Sequence, residues 1–564
     1  MNILGISAYY HDSSACVVCD GNLIAAVQEE RFTRVKNCSD FPIQAINYCI
    51  QKAGISFAQI DMVAFYEQPY IKFNRVVHDY IAKFPRSYAS FMRNMPMWLQ
   101  DRLILPLVLR KELAYTGRVI FVPHHYSHAA SSFFVSPFEE AAIVTADGVG
   151  EFATASVGVG NGNHISMNQQ INYPHSLGLL YSAFTSYLGF KANSGEGTTM
   201  ALASFGKPEY LDAFKQFIDI AHDGSFIVNT SYFPYNTSKR MYSRKLTALL
   251  GEPRKPGTEY EERHKNIAAT LQYVVEDALL KMARHACSSA QSRNLCVAGG
   301  VFLNCVANQK ILDLPEIDNI FIQPGAGDAG GSVGAAFFAW NRLLQKPRSF
   351  IMDHAYWGPD FTDKEIKAAI LRNNLEYTVM QTDDLLRHTA AKISEANTVG
   401  WFQGRLEFGP RALGNRSILA DARKPEMVDV LNHRIKHREW FRPFAPLVKE
   451  EKANEYFVMK NMSPFMLLAP QVRDDKKQVI PAVTHIDGTA RVQTVSQKTN
   501  PLLWQLLDVF EQQTGVPVII NTSFNLKGEP IVCTPDEAIN DYLKSEMDCL
   551  VLGNFFLEKT KNES

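Results

Sequence analysis

A strand–loop–strand pattern that occurs twice constrains the fold of this chain more than any other feature. Near the start, the apolar "NILGIS" is followed by the polar "AYYHDSS", the apolar "ACVVC", the turn signal "DGN" and "LIAAVQEE". From residue 141 the order recurs as "AAIVTA", "DGVGE", "FATASVGV", "GNGN" and "HISMNQQI". Each first strand leads into a loop that holds an aspartate, Asp12 or Asp147. The recurrence indicates an internal duplication, although two unrelated hairpins would give the same local pattern.

A duplicated unit with an aspartate in each loop predicts a two-lobed nucleotide-binding fold. Backbone N–H groups in such loops bind phosphate oxygens, and the aspartates hold a metal ion or its waters. Two glycine-containing stretches extend this prediction. In "GGVFLN", Gly299 and Gly300 would let a purine approach the backbone closely. In "GAGDAGGSVGAA", with Gly325, Gly327 and Gly330, a helix begins whose N-terminus favours phosphate. Each stretch alone is equally consistent with a tight strand–helix turn.

Three histidines fall within five positions of the stretch "HHYSHAAS". Side chains four residues apart share one face of a helix, so His124 and His128 can point at one ion. A single histidine pair is more often structural than ligating, but Asp147 and Asp328 are candidate partners in the predicted phosphate loops. Two imidazoles with two carboxylates suit iron(II), zinc or manganese.

The C-terminal part of the chain concentrates arginines beside glycine, proline and phenylalanine. A planar guanidinium suits a small phosphate or carboxylate, whereas ion pairs that lock loops would explain any one of these residues equally simply. The candidates come from "GRLEFGPRALGNRSILADAR", "RIKHREWFRPFAP", "THIDGTARVQTV" and "INTSFNLKGEP", and they are Arg405, Arg411, Arg416, Lys436, Arg442, Arg491 and the small polar residues 521–525.

Composition narrows the functional class. The chain has 564 residues and a formal net charge of −1, which disfavours a protein that grips nucleic acid, since such proteins carry a basic surplus. We find no leader pattern and no run of roughly 20 apolar residues, so we expect a cytoplasmic protein without a membrane partner. Nine scattered cysteines argue against a disulfide framework.

Domain boundaries follow from the mixture of proline, glycine and polar residues in "KPRSFIMDHAYWGPDFT". We expect one domain over residues 1–350, with a helical insertion at about 66–120, and a second α/β domain over 351–564. Residues 66–120 and 173–200 are weak candidates for a surface that faces an acceptor.

Taken together, these motifs resemble the natural-product O-carbamoyltransferases of the nodulation, cephem and tobramycin type, over nearly the whole chain. Further stretches that carry the resemblance are "HDSSA", "EERFTRVK", "TADGVGE", "FRPFAP" and "NTSFNLKGEPIV". The resemblance implies a mixed α/β fold with an actin-like ATPase (ASKHA, duplicated ribonuclease-H-like) N-terminal domain and a YrdC-like C-terminal domain. It also implies that carbamoyl phosphate yields carbamate, that carbamate and ATP give carbamoyl adenylate and pyrophosphate, and that a hydroxyl of a small secondary metabolite then takes the carbamoyl group.

The resemblance also assigns roles to residues. It implies iron(II) ligands at His124, His128, Asp147 and Asp328, and a structural role for His125. His11 is the candidate general base, since imidazole titrates near working pH, and Asp12 would lie near phosphates or the metal's waters. Nucleotide would lie beside Asn304 and the glycines around it. The residues implied in carbamoyl phosphate binding are Arg416, Lys436, Arg442, Arg491, Thr522, Ser523 and Asn525.

One stretch departs from the family pattern, and two other functions stay open. Residues 195–206, "GEGTTMALASFG", carry Thr198 or Thr199 where relatives have a lysine. A tRNA-modifying enzyme of the threonylcarbamoyl type is one alternative, which the neutral net charge disfavours. A non-catalytic nucleotide-binding scaffold is another, which the complete ligand set disfavours. A homodimer is consistent with the resemblance.

Overall fold

A computed structural model describes residues 1–235 and 240–559. The chain separates into two compact units. The first unit consists of Met1–Ala26 and Ser39–Ile351. The second consists of Val27–Cys38 and the chain from Met352 onward.

The strands of the first unit are short, and most of their residues are buried. They are β1 (Asn2–Ser7), β2 (Ser14–Cys19), β3 (Asn22–Gln28), β4 (Met62–Phe65), β5 (Arg118–Phe121), β6 (Glu140–Ala146), β7 (Ala153–Asn161), β8 (His164–Asn172), β9 (Ile218–Ile220), β10 (Phe226–Val228), β11 (Asn294–Ala298) and β12 (Asn319–Ile322).

The two large sheets of the first unit share one strand order. The first sheet runs β3-β2-β1-β4-β5, and the second, read in the same sense, runs β8-β7-β6-β11-β12. In the first sheet, β1 pairs antiparallel with β2 and parallel with β4. In the second, β6 pairs antiparallel with β7 and parallel with β11. The predicted duplication is therefore confirmed.

Helices join and cover these sheets. In chain order, the helices up to residue 351 are α1 (Glu30–Thr33), α2 (Ile43–Ala53), α3 (Pro69–Ala82), α4 (Tyr88–Met97), α5 (Leu105–Leu113), α6 (His124–Phe133), α7 (Leu177–Tyr187), α8 (Glu196–Ala203), α9 (Leu211–Phe214), α10 (Arg244–Leu250), α11 (Glu262–Ala290), α12 (Cys305–Leu312) and α13 (Ala329–Phe337). Helices α3, α4 and α5 lie between β4 and β5, where the sequence predicts an insertion.

The second unit is built on one mixed sheet of eight strands. The strand order is β13-β20-β19-β14-β15-β18-β16-β17. The strands are β13 (Thr378–Val379), β14 (Val399–Phe402), β15 (Arg416–Asp421), β16 (Ala445–Lys449), β17 (Gln493–Val495), β18 (Val518–Ser523), β19 (Cys549–Leu552) and β20 (Phe555–Glu558).

Two apolar layers cover this sheet. Its helices are α14 (Asp363–Arg372), α15 (Thr382–Ser394), α16 (Met427–Asp429), α17 (Ala453–Tyr456), α18 (Pro501–Thr514) and α19 (Pro535–Lys544). Leucines of α15 and α18 form one core with Trp401, which is fully buried. Apolar residues of α14 and α19 form the other core. The predicted α/β character is confirmed for this unit, and its likeness to the YrdC type stays a prediction.

The segment 27–38 belongs to the second unit, which corrects the expected division of the chain into 1–350 and 351–564. Arg31 is buried and donates from Nη2 to the carbonyl oxygen of Gly409, 2.7 Å away. Arg34 donates to the carbonyl oxygens of Ile531 at 2.7 Å and Pro530 at 2.9 Å. The motif "EERFTRVK" thus supplies one buried and one partly buried guanidinium group to a unit whose other residues begin more than 300 positions later.

The stretch 195–206, which departs from the family pattern, is mostly helical. Residues 196–203 form α8, and the hydroxyl of the buried Thr199 donates to that of Thr185 at 3.1 Å. Glu196 accepts from the Ser182 hydroxyl at 2.7 Å. These contacts give Thr199 a packing role inside the first unit. Among the described residues, no helix combines the length and the apolar character that a membrane span requires.

Candidate functional sites

Four buried side chains converge in the first unit at equivalent places of the two repeats. His124 and His128 lie in the first two turns of α6, which follows β5. Asp328 stands at the N-cap of α13, which follows β12 in the second repeat. Asp147 follows β6, as Asp12 follows β1. The carboxyl ends of parallel strands are where ligand sites form in α/β sheets, and the positive N-terminal ends of both helices favour the two carboxylates.

The donor atoms of these residues lie close enough to share one ion. The Nε2 atoms of His124 and His128 are 3.0 Å apart. Asp147 Oδ2 lies 3.2 Å from the first and 3.7 Å from the second, and all four donors lie within 4.8 Å of one another. Ligands that bind one metal at roughly 2.0–2.2 Å are separated by about 3–3.5 Å at tetrahedral or octahedral angles. The separations therefore fit a single divalent cation.

The hydrogen bonding of this cluster also fits a cation. Both carboxylate oxygens of Asp328 are buried and accept no hydrogen bond from the part of the chain that the structure describes. Asp147 uses Oδ1 to accept from the Gly300 N–H at 3.0 Å, which leaves Oδ2 facing the histidines. Asp328 Oδ1 lies 3.4 Å from His128 Nε2 and 3.6 Å from His124 Nε2. Burying a carboxylate is costly unless positive charge lies beside it, so the site favours a cation.

The pKa values of the side chains in the cluster also show how strongly their charges interact. Burial would lower the pKa of His128, but the adjacent Asp147 and Asp328 raise it to about 9. Burial would likewise raise the pKa of Asp147, but His124 and His128 hold it well below its usual range. Carboxylate and imidazole groups thus stabilise each other's charged forms.

His125 has a different environment from its two neighbours. Its Nδ1 lies 2.7 Å from the Thr145 hydroxyl and 3.2 Å from that of Ser156. Burial, with the charges of His124 and His128 beside it, lowers the pKa of His125 to about 3. The ring is therefore neutral, as the structural role inferred for it requires.

A buried glutamate that sequence reasoning missed fixes the start of α6. Glu151 accepts from the backbone N–H of His124 at 3.0 and 3.1 Å and from that of Gln68 at 2.7 Å. Since Pro123 at the N-cap offers no side-chain cap, this carboxylate replaces one. Only its position four residues after Asp147, in "DGVGE", marked it in the sequence.

We expect Glu151→Ala to lower the free energy of unfolding by about 2 kcal/mol, because two buried N–H groups lose their acceptor. Urea denaturation followed by circular dichroism measures this loss. Glu151→Gln, which keeps one acceptor oxygen, is the matched control and should lose less. An Ala variant as stable as wild type would mean that the carboxylate does not secure the helix.

Glycines in α13 allow this helix to pack closely against α6. A Cβ on Gly334 would collide with the carbonyl oxygen of Ser127, one residue before His128. A Cβ on Gly330 would collide with the carbonyl oxygen of Gly325. The glycine-rich run that suggested a phosphate loop therefore also has a packing function, which brings Asp328 to the histidines.

The residues predicted to lie beside a nucleotide adjoin the cluster. Gly299 has a φ of 104°, where a side chain would be strained, and a Cβ there would meet the carbonyl of Ala146. Gly327 lies beside Gly300, since a Cβ on it would be 3.7 Å from the Gly300 Cα. Asn304 is the N-cap of α12 and exchanges hydrogen bonds with Gln272 at 2.9 and 3.1 Å. The nucleotide role of these residues stays a prediction.

His11 and Asp12 lie at the rim of the cluster. His11 Nδ1 is 3.2 Å from Asp12 Oδ2, and His11 Nε2 is 3.9 Å from Asp328 Oδ2. About a fifth of the His11 side chain is exposed, at 21%. Burial lowers the pKa of His11, but Asp328 and Asp12 overcome this and raise it to about 10. The His11 ring therefore lies between the buried cluster and the solvent.

The second unit contains a cation cluster, formed by Lys436, Arg438, Arg442 and Arg491. Burial, and then the charges of Arg438 and Arg442, lower the pKa of Lys436 well below its usual value. Burial, and then Arg442 and Arg491, do the same for Arg438. Among the first three cations, the described residues give only Arg442 an ion-pair partner, Glu439 at 4.0 Å. Such a concentration of positive charge favours an anion nearby.

Small polar residues at the end of β18 adjoin this cluster. The Lys436 ammonium donates to the carbonyl oxygens of Ser523 and Asn525, each at 2.7 Å, and to Asn525 Oδ1 at 2.7 Å. The Ser523 hydroxyl donates to the same Oδ1 at 2.6 Å. Thr522 precedes them in the strand. Lys36, which the sequence did not single out, also lowers the pKa of Lys436 and so lies near it.

Arg416 occupies a different position from that expected of a ligand-binding residue. Its Nη1 donates to the carbonyl oxygens of Gln403 at 2.6 Å and Gly404 at 3.1 Å, and its Nη2 to that of Pro359 at 3.1 Å. The fully buried guanidinium stacks on Phe402 at 3.6 Å. These bonds hold loops together, and a contact with carbamoyl phosphate stays a prediction.

Two family models match the chain. The model described as the carbamoyltransferase N-terminus matches residues 2–337, and the model described as the carbamoyltransferase C-terminus matches residues 390–559.

Similar proteins match over most of their length. Nodulation protein NolNO of Sinorhizobium fredii is 36% identical over 98% of this chain and 80% of that protein. Nodulation protein NolO of Bradyrhizobium diazoefficiens is 38% identical over 77% of this chain and 78% of that protein. An uncharacterized protein of Synechocystis sp., sll1178, is 46% identical over 99% of this chain and 97% of its own length.

Solved structures resemble the chain only remotely. Component A of the (R)-2-hydroxyglutaryl-CoA dehydratase of Acidaminococcus fermentans covers 61% of this chain and 99% of its own, with 13% identity and a TM-score of 0.33. HypF of T. kodakarensis covers 61% of this chain and 48% of its own, with 13% identity and a TM-score of 0.31. Likenesses this distant say nothing about what the chain binds.

Proposed function

Because the chain belongs to the carbamoyltransferase family and is a transferase, we propose that it is an ATP-dependent O-carbamoyltransferase whose acceptor is a hydroxyl of a small secondary metabolite. Carbamoyl phosphate and water give carbamate and phosphate in the second unit. Carbamate and ATP give carbamoyl adenylate and pyrophosphate in the first. The acceptor hydroxyl then attacks the carbamoyl carbon, which releases AMP and a proton and forms the carbamate ester.

The cation cluster supports the first step. Phosphate leaves carbamoyl phosphate as a dianion, and positive groups aimed at it stabilise the charge that develops as the bond breaks. Arg442 and Arg491 offer guanidinium groups for phosphate oxygens. Lys436 is held by Ser523 and Asn525, so its ammonium is fixed in place before a ligand arrives.

The observation that carries the proposal is the buried cluster of two histidines and two aspartates. His124, His128, Asp147 and Asp328 would hold a divalent cation, iron(II) by family resemblance, with zinc and manganese equally suited to the donor set. Such an ion supplies positive charge that neutralises phosphate oxygens during adenylation. The chain's own contribution is to bury these donors and to fix Asp147 through the Gly300 N–H.

His11 is suited to take the proton of the acceptor hydroxyl. Its Nδ1 faces the Asp12 carboxylate, which holds a proton on that nitrogen. The charge of Asp328 is the main cause that raises the pKa of the ring, so a cation held by Asp328 would offset that charge and leave Nε2 free to accept a proton. The ring is partly exposed, so a small molecule can reach it. This geometry supports a general base at the rim of the site.

The test uses purified, metal-loaded protein with ATP and carbamoyl phosphate in the absence of acceptor. Mass spectrometry for carbamoyl adenylate, and assays of phosphate and pyrophosphate, should detect all three products. Protein that binds ATP but leaves carbamoyl phosphate intact would contradict the proposal.

We expect His11→Asn to form carbamoyl adenylate at the wild-type rate but to transfer the group about 10²–10⁴-fold more slowly, because the hydroxyl loses its base. Consumption of adenylate after addition of a panel of aminoglycosides, cephems and sugars measures transfer. His164→Asn, on the exposed start of β8, is the matched control and should behave as wild type. An equal loss of adenylate formation in His11→Asn would place His11 in the earlier step.

A further inference from the structure

An arginine of the helical insertion is buried, and none of the residues that the structure describes forms an ion pair with it. Arg75 on α3 is only 6% exposed. It makes no hydrogen bond or ion pair with the described residues, and its Nε is fully buried and unsatisfied. The ring of Tyr173 lies 4.9 Å from the guanidinium carbon, and Asp79 and Glu67 are close enough to act on its charge without forming an ion pair with it. Buried guanidinium groups are almost always paired, so this one points to a ligand.

The charges around Arg75 are already balanced. The buried Lys72 forms an ion pair with the buried Glu67. Lys83 pairs with Asp79 at 2.6 Å and donates to the Tyr173 hydroxyl at 3.2 Å. These two pairs cancel, which leaves Arg75 as one net positive charge against an aromatic wall.

Tyr10 connects the surroundings of Arg75 to the proposed base. The Lys72 ammonium is 5.1 Å from the centre of the Tyr10 ring, and that ring is 4.5 Å from the ring of His11. Arg75 is also close enough to Tyr10 to influence the pKa of its hydroxyl. Tyr10 and His11 are both partly exposed, so a molecule that reaches His11 can extend along Tyr10 to Arg75.

We propose that Arg75 binds a carboxylate of the acceptor, which makes the substrate a small hydroxylated acid. This inference rests on the proposed function, since it concerns the acceptor of that reaction. One uncompensated positive charge suits a monoanion, whereas a phosphate dianion would need more. The planar guanidinium matches a carboxylate with two parallel hydrogen bonds. Tyr10 and Tyr173 would contact the apolar face of the bound molecule.

The first measurement is thermal stability of Arg75→Met, which keeps the apolar stem and removes the charge. A binding residue without a structural partner should give a variant whose Tm equals or exceeds that of wild type, because an unpaired buried charge is removed. A lower Tm would mean that Arg75 stabilises the fold and would overturn the proposal. Arg110→Met, at the exposed end of α5, is the control and should leave Tm unchanged.

The second measurement uses matched probes, D-glucuronate and quinate against D-glucose and the methyl ester of quinate. Carboxylates should raise the Tm of wild type and of Arg110→Met, the neutral partners should raise it less, and Arg75→Met should bind the carboxylates at least about tenfold more weakly. Equal binding of acid and neutral partner, binding unaffected by Arg75→Met, or no stabilisation by either acid would each overturn the proposal.

The two proposals fail in different ways. Pyrophosphate release by wild type without any acceptor tests the carbamoyl-transfer function alone. Thermal shift with the acids tests Arg75 alone, since it requires neither ATP nor carbamoyl phosphate. If the protein releases pyrophosphate but prefers the neutral probes, the carbamoyl-transfer function is retained and the proposal of an acidic acceptor is rejected.

Discussion

Replacing His128 with alanine should abolish both metal binding by the first unit and formation of carbamoyl adenylate. One of four donors is lost from a buried cluster that is rich in carboxylate charge, so the affinity for the ion should fall by at least about 100-fold, which exceeds the usual loss for a group that only supports a ligand. Metal analysis of the purified variant and mass spectrometry of carbamoyl adenylate measure the two effects.

His125→Gln is the matched control for this experiment, because His125 is on the same helix and equally buried but contacts Thr145 instead of the cluster. It should keep the ion and the adenylate. The His128 variant should still release phosphate from carbamoyl phosphate, since that step belongs to the second unit. A His128→Ala protein with a full complement of metal would reject the ligand set.

Replacing Arg491 with alanine should slow the first step of the reaction, the breakdown of carbamoyl phosphate. The guanidinium contributes to the positive field in the cation cluster, as its effect on the pKa of Arg438 and Arg442 shows. Without it, phosphate release from carbamoyl phosphate should fall by about 10²–10³-fold, the scale for loss of one group that stabilises developing charge. A colorimetric phosphate assay measures this, and adenylate should disappear with it.

The control for Arg491 is Arg434→Ala, because Arg434 lies two residues from Lys436 but is largely exposed, with a distant ion pair to Glu546 at 3.9 Å. It should release phosphate at the wild-type rate. Carbamate supplied directly, as bicarbonate with ammonia, should restore some adenylate to Arg491→Ala. Continued phosphate release by Arg491→Ala would remove this residue from the site.

Much of the first unit was predictable because its signal is local and repeated. The aspartates of two similar loops indicated the duplication, and the four-residue spacing of His124 and His128 indicated a shared helix face. Both follow from the geometry of short elements. The sequence offered Asp328 only as a candidate partner in a predicted phosphate loop, because its convergence on these histidines depends on the packing of α13 against α6.

Other features had no local signal. Glu151 caps α6 from a different loop, and nothing near His124 in the sequence marks that contact. Arg416 has the side chain expected of a ligand-binding residue, yet its buried guanidinium donates to backbone carbonyls of two loops, at Gln403 and Pro359. The side-chain type was evident in each case, but the partner was set by tertiary packing. Arg75 could not be singled out from the sequence for the same reason. That it is buried without an ion pair is evident only when the pairs formed by Lys72 and Lys83 are known.

The residence of segment 27–38 in the second unit affects the order in which the chain can fold during synthesis. Arg31 is translated early, but its partner Gly409 lies 378 residues further on, and the partner of Arg34, Ile531, lies 497 residues further on. At about 5–20 residues per second, a ribosome needs roughly 20–100 s to make them. Through that interval the first unit can assemble its sheets, while two arginines near its beginning must wait for their carbonyl partners.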